Sequence, residues 1–255
     1  MSAQITLNAR NLSRRLGSRE VIHNISLQLR RGEVLGLLGH NGAGKSTTMQ
    51  LLAGVLIPHS GQIEICGIDL ALEPARAKAC IGYLPETPPL YRDMRVDDFL
   101  IYAARLHRVP RTKIAEALSA AKGRCGLQDA GRKIIGSLSK GYQQRVGIAQ
   151  AIIHQPEVVI LDEPTVGLDP RSARLIKDML RQMAERGAAV FLSTHILEIA
   201  ERMCDRIGII NNGELIAIGS MEELRALGKG ETSLEDIFLT LTGGAEDAEI
   251  AEVLK

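Results

Sequence analysis

The sequence predicts an α/β fold, with a core built on a mixed sheet, an inserted α-helical subdomain and a helical tail. Three observations predict it. Short apolar runs suited to strands gather toward both ends of the 255-residue chain. The middle carries a helical period instead. A glycine-rich segment, Gly39 to Ser46, sits between an apolar run and a helix-like stretch.

Taken in order, Ile5–Ala9 and Ile25–Leu29 read as strands, and Val34-Leu35-Gly36-Leu37-Leu38 as a buried one. A continuous apolar run means cover on both faces, as in parallel sheets. Thr47–Ala53 has helical spacing and is closed by Gly54, and Gln62–Cys66 returns to a strand. Ile81–Leu84 is a further strand, followed by the proline-rich Pro85-Glu86-Thr87-Pro88-Pro89. From Val96 to His154 the pattern is helical. Phe99, Leu100, Tyr102, Ala103 and Leu106 form one expected face, and Ile114, Ala117, Leu118 and Ala121 another. Gln155-Pro156 ends that region, because proline disfavours a helix at the residue before it. Val158–Leu161 and Ala188–Leu192 are short buried strands, and Ile207–Ile210 and Glu214–Ile218 flank the hairpin signal Asn211-Asn212-Gly213. In the tail, Thr232 and Glu235 have capping-box spacing and Gly243 closes the helix. The expected division is a core of residues 1–85 and 157–219, a helical subdomain of 86–156 and a tail of 220–255.

Charge and cysteine usage exclude several classes. Lys plus Arg is 31 against Asp plus Glu at 30, a balance unlike that of a dedicated polyanion binder. Cys66, Cys80, Cys125 and Cys204 are scattered and contain no C-x-x-C pair, so four free thiols are expected, with no zinc site or disulfide framework. Met1–Asn8 carries no secretory signal pattern, and no apolar run approaches the ~18 residues that span a bilayer. A cytoplasmic chain is the expectation, with any membrane role supplied by a partner.

Gly39-His40-Asn41-Gly42-Ala43-Gly44-Lys45-Ser46, followed by Thr47, fits the phosphate-cradling pattern G-x-x-x-x-G-K-[ST] in its strand–loop–helix context. Backbone N–H groups converge on phosphate oxygens there, and the helix N-terminus adds unpaired donors. Lys45 can reach the β and γ phosphates, and Ser46 can ligate Mg²⁺. Val158 to Leu161 ends in Asp162 and Glu163. The first acid can hold Mg²⁺ beside Ser46, and the second suits a base that orients water. Ser139 is a natural N-cap for the helix beginning Lys140-Gly141-Tyr142; Gly141 would leave that helix start accessible as a second anion site, but the residues alone favour an ordinary capped helix.

As an ordered set these residues resemble the ATP-binding subunit of an ATP-binding-cassette transporter, from about Leu7 to Ser220. Gly39 to Thr47 resembles the Walker A loop, Val158 to Glu163 Walker B, and Leu138 to Arg145 the signature LSGGQ, here LSKGY. Gly167-Leu168-Asp169 resembles the D-loop and Ser193-Thr194-His195 the switch histidine. The fold implied is a P-loop NTPase (RecA-like) core. Two cassettes would pack head to tail, a homodimer being the simplest case, with ATP and Mg²⁺ between the Walker A loop of one and the signature Ser139, Lys140, Gly141 and Tyr142 of the other. By resemblance Glu163 polarises the attacking water, His195 contacts the γ-phosphate and Asp169 couples the two sites. Without the resemblance, His195 reads as structural, and Asp169 as a cap for the helix that Pro170 begins.

Three positions depart from the family pattern. Glu86 replaces the usual glutamine and could orient water or meet Mg²⁺. Lys140 replaces a signature glycine, and Leu16 stands where an aromatic ring stacks on adenine. The pattern IGYLPE…PLY is similar to that of ABC-2 type exporters. The partners implied are a transmembrane permease subunit and a second cassette, at the inner face of the plasma membrane, with no direct nucleic acid. The alternative is a soluble cassette ATPase acting on nucleic acid or ribosomes. Such proteins usually carry two cassettes, a coiled-coil insertion or zinc-binding cysteines, none of which is visible here.

Overall fold

The structure, a computed structural model, describes residues 4–227 and 233–243. The elements are β1 (Ile5–Leu16), β2 (Arg19–Arg30), β3 (Val34–Leu38), α1 (Lys45–Leu52), β4 (Ser60–Ile65), β5 (Ile68–Asp69), α2 (Pro74–Ala79) and β6 (Ile81–Leu84). Then come α3 (Val96–Leu106), α4 (Ile114–Cys125), α5 (Lys140–Ile152), β7 (Val158–Leu161), α6 (Pro170–Glu185), β8 (Ala189–Thr194), α7 (Leu197–Met203), β9 (Arg206–Asn211), β10 (Glu214–Gly219), α8 (Met221–Leu227) and α9 (Leu234–Thr242).

Two sheets form. One is antiparallel, in the order β2-β1-β4-β5, and the other is mixed, in the order β10-β9-β3-β8-β7-β6. In the mixed sheet only the β9–β10 hairpin is antiparallel; β3 pairs in parallel with both β8 and β9. Every residue of β3, β7 and β8 is buried, which is why β3, β7 and the first four residues of β8 run apolar in sequence. Their parallel direction brings the segments after β3, β7 and β8 to one end of the sheet, where open α/β sheets bind ligands.

The helices follow local signals where caps are strong. Asp169 caps α6, accepting from the Ser172 N–H at 3.0 Å, and Pro170 takes the first helical position. The buried face of α6 is Ile176, Met179, Leu180, Met183 and Ala184, one stripe of a 3.6-residue period. In α3 the buried face is Val96, Phe99, Leu100, Ala103 and Ala104, which corrects the expected face. Tyr102 lies about 200° around the helix from Leu100 and is exposed, packing instead on Tyr91 at 5.7 Å between ring centroids. Leu106, the last residue of α3, is exposed as well. Helix α1 starts at Lys45 rather than Thr47, directly after the left-handed Gly44.

The α9 cap is also corrected. Ser233, not Thr232, is the N-cap and accepts from the Asp236 N–H at 3.1 Å; Thr232 lies outside the described residues. Gly243 does close the helix. Leu234, Ile237 and Phe238 of α9 share a core cluster with Leu38, Ala200, Ile207 and Ile209. The Phe238 ring meets His40 edge-on at 4.7 Å, so α9 braces the glycine-rich loop. Phe238→Ala is expected to cost about 3–5 kcal/mol of stability, as for other buried phenylalanines. Urea unfolding followed by circular dichroism measures it, and a loss below about 1 kcal/mol would mean that α9 docks loosely.

All four cysteines are free thiols. They are not all apart, however. Folding brings Cys66, Cys80 and Glu157 together, with ligand atoms within 4.8 Å of one another. No spacing rule would have found this group, because its members come from the β4–β5 turn, the end of α2 and the start of β7.

Candidate active site

The glycine-rich loop leaves β3 and closes onto α1. Gly44 sits at φ 108°, and a Cβ there would come within 3.0 Å of Ile22 Cδ1 and 3.2 Å of the Val21 carbonyl. Only glycine satisfies both the backbone angle and that approach. Lys45 therefore begins α1 with its side chain turned inward, only 6 % exposed. Its ammonium donates to the carbonyls of Gly39 at 2.8 Å and His40 at 3.2 Å. It also lies 3.4 Å from Glu163 Oε1.

Glu163 is built into place by strain and by one hydroxyl. It follows β7 and has φ 47°, a left-handed value that costs a non-glycine residue energy and that persists where the surroundings enforce it. Its N–H donates to Ser193 Oγ at 2.9 Å, and the same hydroxyl donates to Asp162 Oδ1 at 2.5 Å. Ser193, fully buried on β8, thus ties both acids to one strand. Glu163 Oε1 meets His195 Nδ1 at 2.9 Å. Glu163 Oε2 is buried with no hydrogen-bond partner. An unsatisfied buried carboxylate oxygen is costly unless a ligand or water is part of its working state.

These residues surround a cavity of about 460 Å³, lined by Val21, Asn41, Gly42, Gly44, Lys45, Ser46, Thr47, Glu86, Glu163, Val166 and His195. The cavity unites the phosphate loop, Glu86, Glu163 and His195. Gly39 and Ala43 support it from below: a Cβ on Gly39 would lie 2.6 Å from the Ile210 carbonyl, and Ala43 is buried. Asp162 is 2 % exposed, and among the described residues no cation pairs with it. A buried carboxylate held by a single hydroxyl fits a hard divalent cation, and Ser46 and Glu86 supply further oxygen donors in the cavity. That negative charge is felt nearby: burial first, then Asp162, pushes the Tyr83 phenol up to about 12.

Sequence reasoning missed Val21 and Val166, apolar liners outside every motif. Val21 arrives from the antiparallel sheet, held where His23 N–H donates to the Gly213 carbonyl at 2.8 Å. It could not be found from spacing.

Ser139, Lys140, Gly141 and Tyr142 do not line the cavity. Ser139 does cap α5, accepting from the Tyr142 N–H at 3.4 Å. Gly141 is buried rather than accessible, because a Cβ there would strike Ser172 at the start of α6. A Cβ on Gly167 would likewise strike Lys140 Nζ. The signature segment and the D-loop therefore pack on each other within one chain. Asp169 faces Gly141 across this contact, and the Ser172 hydroxyl holds its carboxyl below the usual range. Behind the cap, Arg145 clamps α5 to the end of α4 through the carbonyls of Cys125 and Gly126, with its guanidinium 4.0 Å from the Tyr142 ring centroid. Leu16 is 47 % exposed at the β1–β2 hairpin and does not line the cavity either.

The ABC transporter sequence family matches residues 22–166. The linearmycin resistance ATP-binding protein LnrL of Bacillus subtilis (strain 168) is 37% identical over 238 residues, which cover 93% of this chain and 75% of that relative. A solved structure described as the ATP-binding subunit of an ABC transporter has a TM-score of 0.85 and 32% identity, covering 93% of this chain and 99% of its own. The structure of cbiO1 from Clostridium perfringens, described as part of the ABC transporter complex cbiONQ, has a TM-score of 0.79 at 29% identity, covering 88% and 91%.

Proposed function

Because this chain belongs to the ABC transporter family as an ATP-binding, ATP-hydrolysing subunit, we propose that two copies close head to tail on ATP and so drive an exporter of the ABC-2 type. One observation carries the two-copy reading. The cavity gathers the phosphate loop, Glu86, Glu163 and His195 but not the signature Ser139–Tyr142, which caps α5 outside it. A second copy supplies the missing wall, and twofold symmetry makes two equivalent sites.

Within one site, Lys45 and the loop N–H groups bind the β and γ phosphates. Ser46 and Asp162, with Glu86 as a further oxygen donor, would hold Mg²⁺, which would neutralise phosphate charge. Glu163 Oε2 takes the proton of the attacking water while Oε1 stays tied to His195 and Lys45. His195 donates toward the γ-phosphate. Asp169, already packed against the signature segment of its own chain, passes closure between sites. Val21 offers apolar contact to the nucleotide, without a ring.

The helical segment supplies the permease contact. Leu90, Tyr91, Arg92, Asp93, Met94 and Tyr102 line a surface groove of about 580 Å³, whose aromatic rings are exposed. Such a groove accepts a short amphipathic helix. It adjoins Glu86 in sequence, so nucleotide closure at one end can move a docked helix at the other. The complex then lies on the inner face of the plasma membrane. The relative cbiO1 is itself part of a transporter complex, which supports a permease partner. Cysteine at Tyr91 or Tyr102 is expected to crosslink to a membrane protein in isolated membranes; crosslinks only from α8 and α9 would move the docking surface to the tail.

A further inference from the structure

At the opposite end of the parallel strands from the nucleotide cavity, three ligating side chains converge. Cys66 Sγ, Cys80 Sγ and a Glu157 carboxylate oxygen lie within 4.8 Å of one another. Bound to one tetrahedral zinc, such atoms would be about 3.5–3.8 Å apart, so a small side-chain contraction suffices. Glu157 has no ion pair among the described residues, and its carboxylate supplies the hard ligand of the set.

The position of Cys66 is not explained by the turn that carries it. Ile65 pairs with Ile68, leaving Cys66-Gly67 as a two-residue loop with φ 52° and 77°. Positive φ at both central residues is the type I′ pattern, which favours asparagine, aspartate or glycine at the first position. Cysteine brings no backbone advantage there. What it brings is a thiol beside Cys80, which stands at the end of α2 with its S–H in a long contact to the Arg76 carbonyl at 3.7 Å.

We propose that Cys66, Cys80 and Glu157 bind one thiophilic divalent cation of the zinc class, with the fourth coordination position open to solvent. Coordination replaces both S–H bonds with S–metal bonds and releases two H⁺ to water. The ion joins the β4–β5 turn of the antiparallel sheet to α2 and to the strand β7 of the mixed sheet. Its distance from the acids after β7 follows from β7 itself: at about 3.3 Å per residue, Glu157 is roughly 16 Å from Asp162. The ion is therefore a clamp between sheets and takes no part in hydrolysis.

The test uses the full chain, reduced, metal-free and without nucleotide, titrated with Cd²⁺ and then Zn²⁺. One Cd²⁺ per chain is expected, with a thiolate-to-metal charge-transfer band, and Zn²⁺ should displace it. Cys66→Ser and Cys80→Ser should each weaken binding more than ten-fold, and Glu157→Gln by less. Zinc at a hundred times its Kd should raise the Tm of the unaltered chain by roughly 5–10 °C and leave that of Cys66→Ser unchanged. The ATPase rate of Cys66→Ser in Mg-ATP should match that of the unaltered chain. Absence of the band, or an equal band in Cys66→Ser, overturns the site. So does a Cys66–Cys80 disulfide in untreated protein with no metal uptake after reduction.

Discussion

Glu163→Gln is expected to slow ATP hydrolysis by about 10²–10⁴-fold, the usual contribution of a positioned general base. The amide keeps the side chain's shape and can still meet His195, but it cannot take a proton from water. Nucleotide binding should not weaken. In the unaltered protein Glu163 Oε1 lies 3.4 Å from Lys45, so the carboxylate competes with phosphate for that ammonium. Neutralising it leaves Lys45 with two carbonyl partners and a free claim on the ligand. The variant should therefore hold ATP, and the two-copy complex should accumulate on a sizing column run in Mg-ATP. Hydrolysis within ten-fold of the unaltered rate would remove Glu163 from its role. A monomer under saturating ATP would overturn the head-to-tail arrangement.

Lys45→Ala is expected to weaken ATP binding by roughly ten- to hundred-fold, the loss of one charge-assisted contact of about 1.5–3 kcal/mol. The structure adds a second consequence. Lys45 and Glu163 are 6 % and 7 % exposed, so alanine leaves a buried carboxylate whose remaining side-chain partner is the His195 ring. Breaking a buried pair from one side typically costs about 3–5 kcal/mol. The nucleotide-free variant should thus also unfold at lower urea. Calorimetry reads the first effect and denaturation the second. Unchanged affinity would contradict the phosphate contact, and unchanged stability would show that His195 alone satisfies the glutamate.

Much of the site was legible because its motifs are local. Gly39 to Ser46 needs only a strand before it and a helix after it, and both are written in adjacent residues. Val158 to Leu161 is apolar throughout, so the strand and the two acids at its end could be placed without knowing the neighbours. Caps with a polar side chain and a proline behind them, as at Asp169-Pro170, are likewise local. Helix faces were less secure. Tyr102 fits the apolar class but not the buried stripe of α3, because hydrophobicity does not distinguish a core residue from one exposed in a surface groove.

The sequence by itself determined the mixed-sheet α/β fold, the phosphate loop, the acids after β7 and the family, since each rests on residues neighbouring in the chain or on their order. Only the tertiary structure decided what meets what. It decided that one hydroxyl, Ser193, holds both Asp162 and Glu163, and that Lys45 is paired inside the protein. It also decided that Phe238 braces His40, that Gly141 is sealed against Ser172, and that Cys66 and Cys80 share a corner with Glu157. The reason is physical. Backbone propensity and periodicity act over a few residues. Side-chain pairing acts over a few ångströms, between elements whose approach is set by the packing of the whole core.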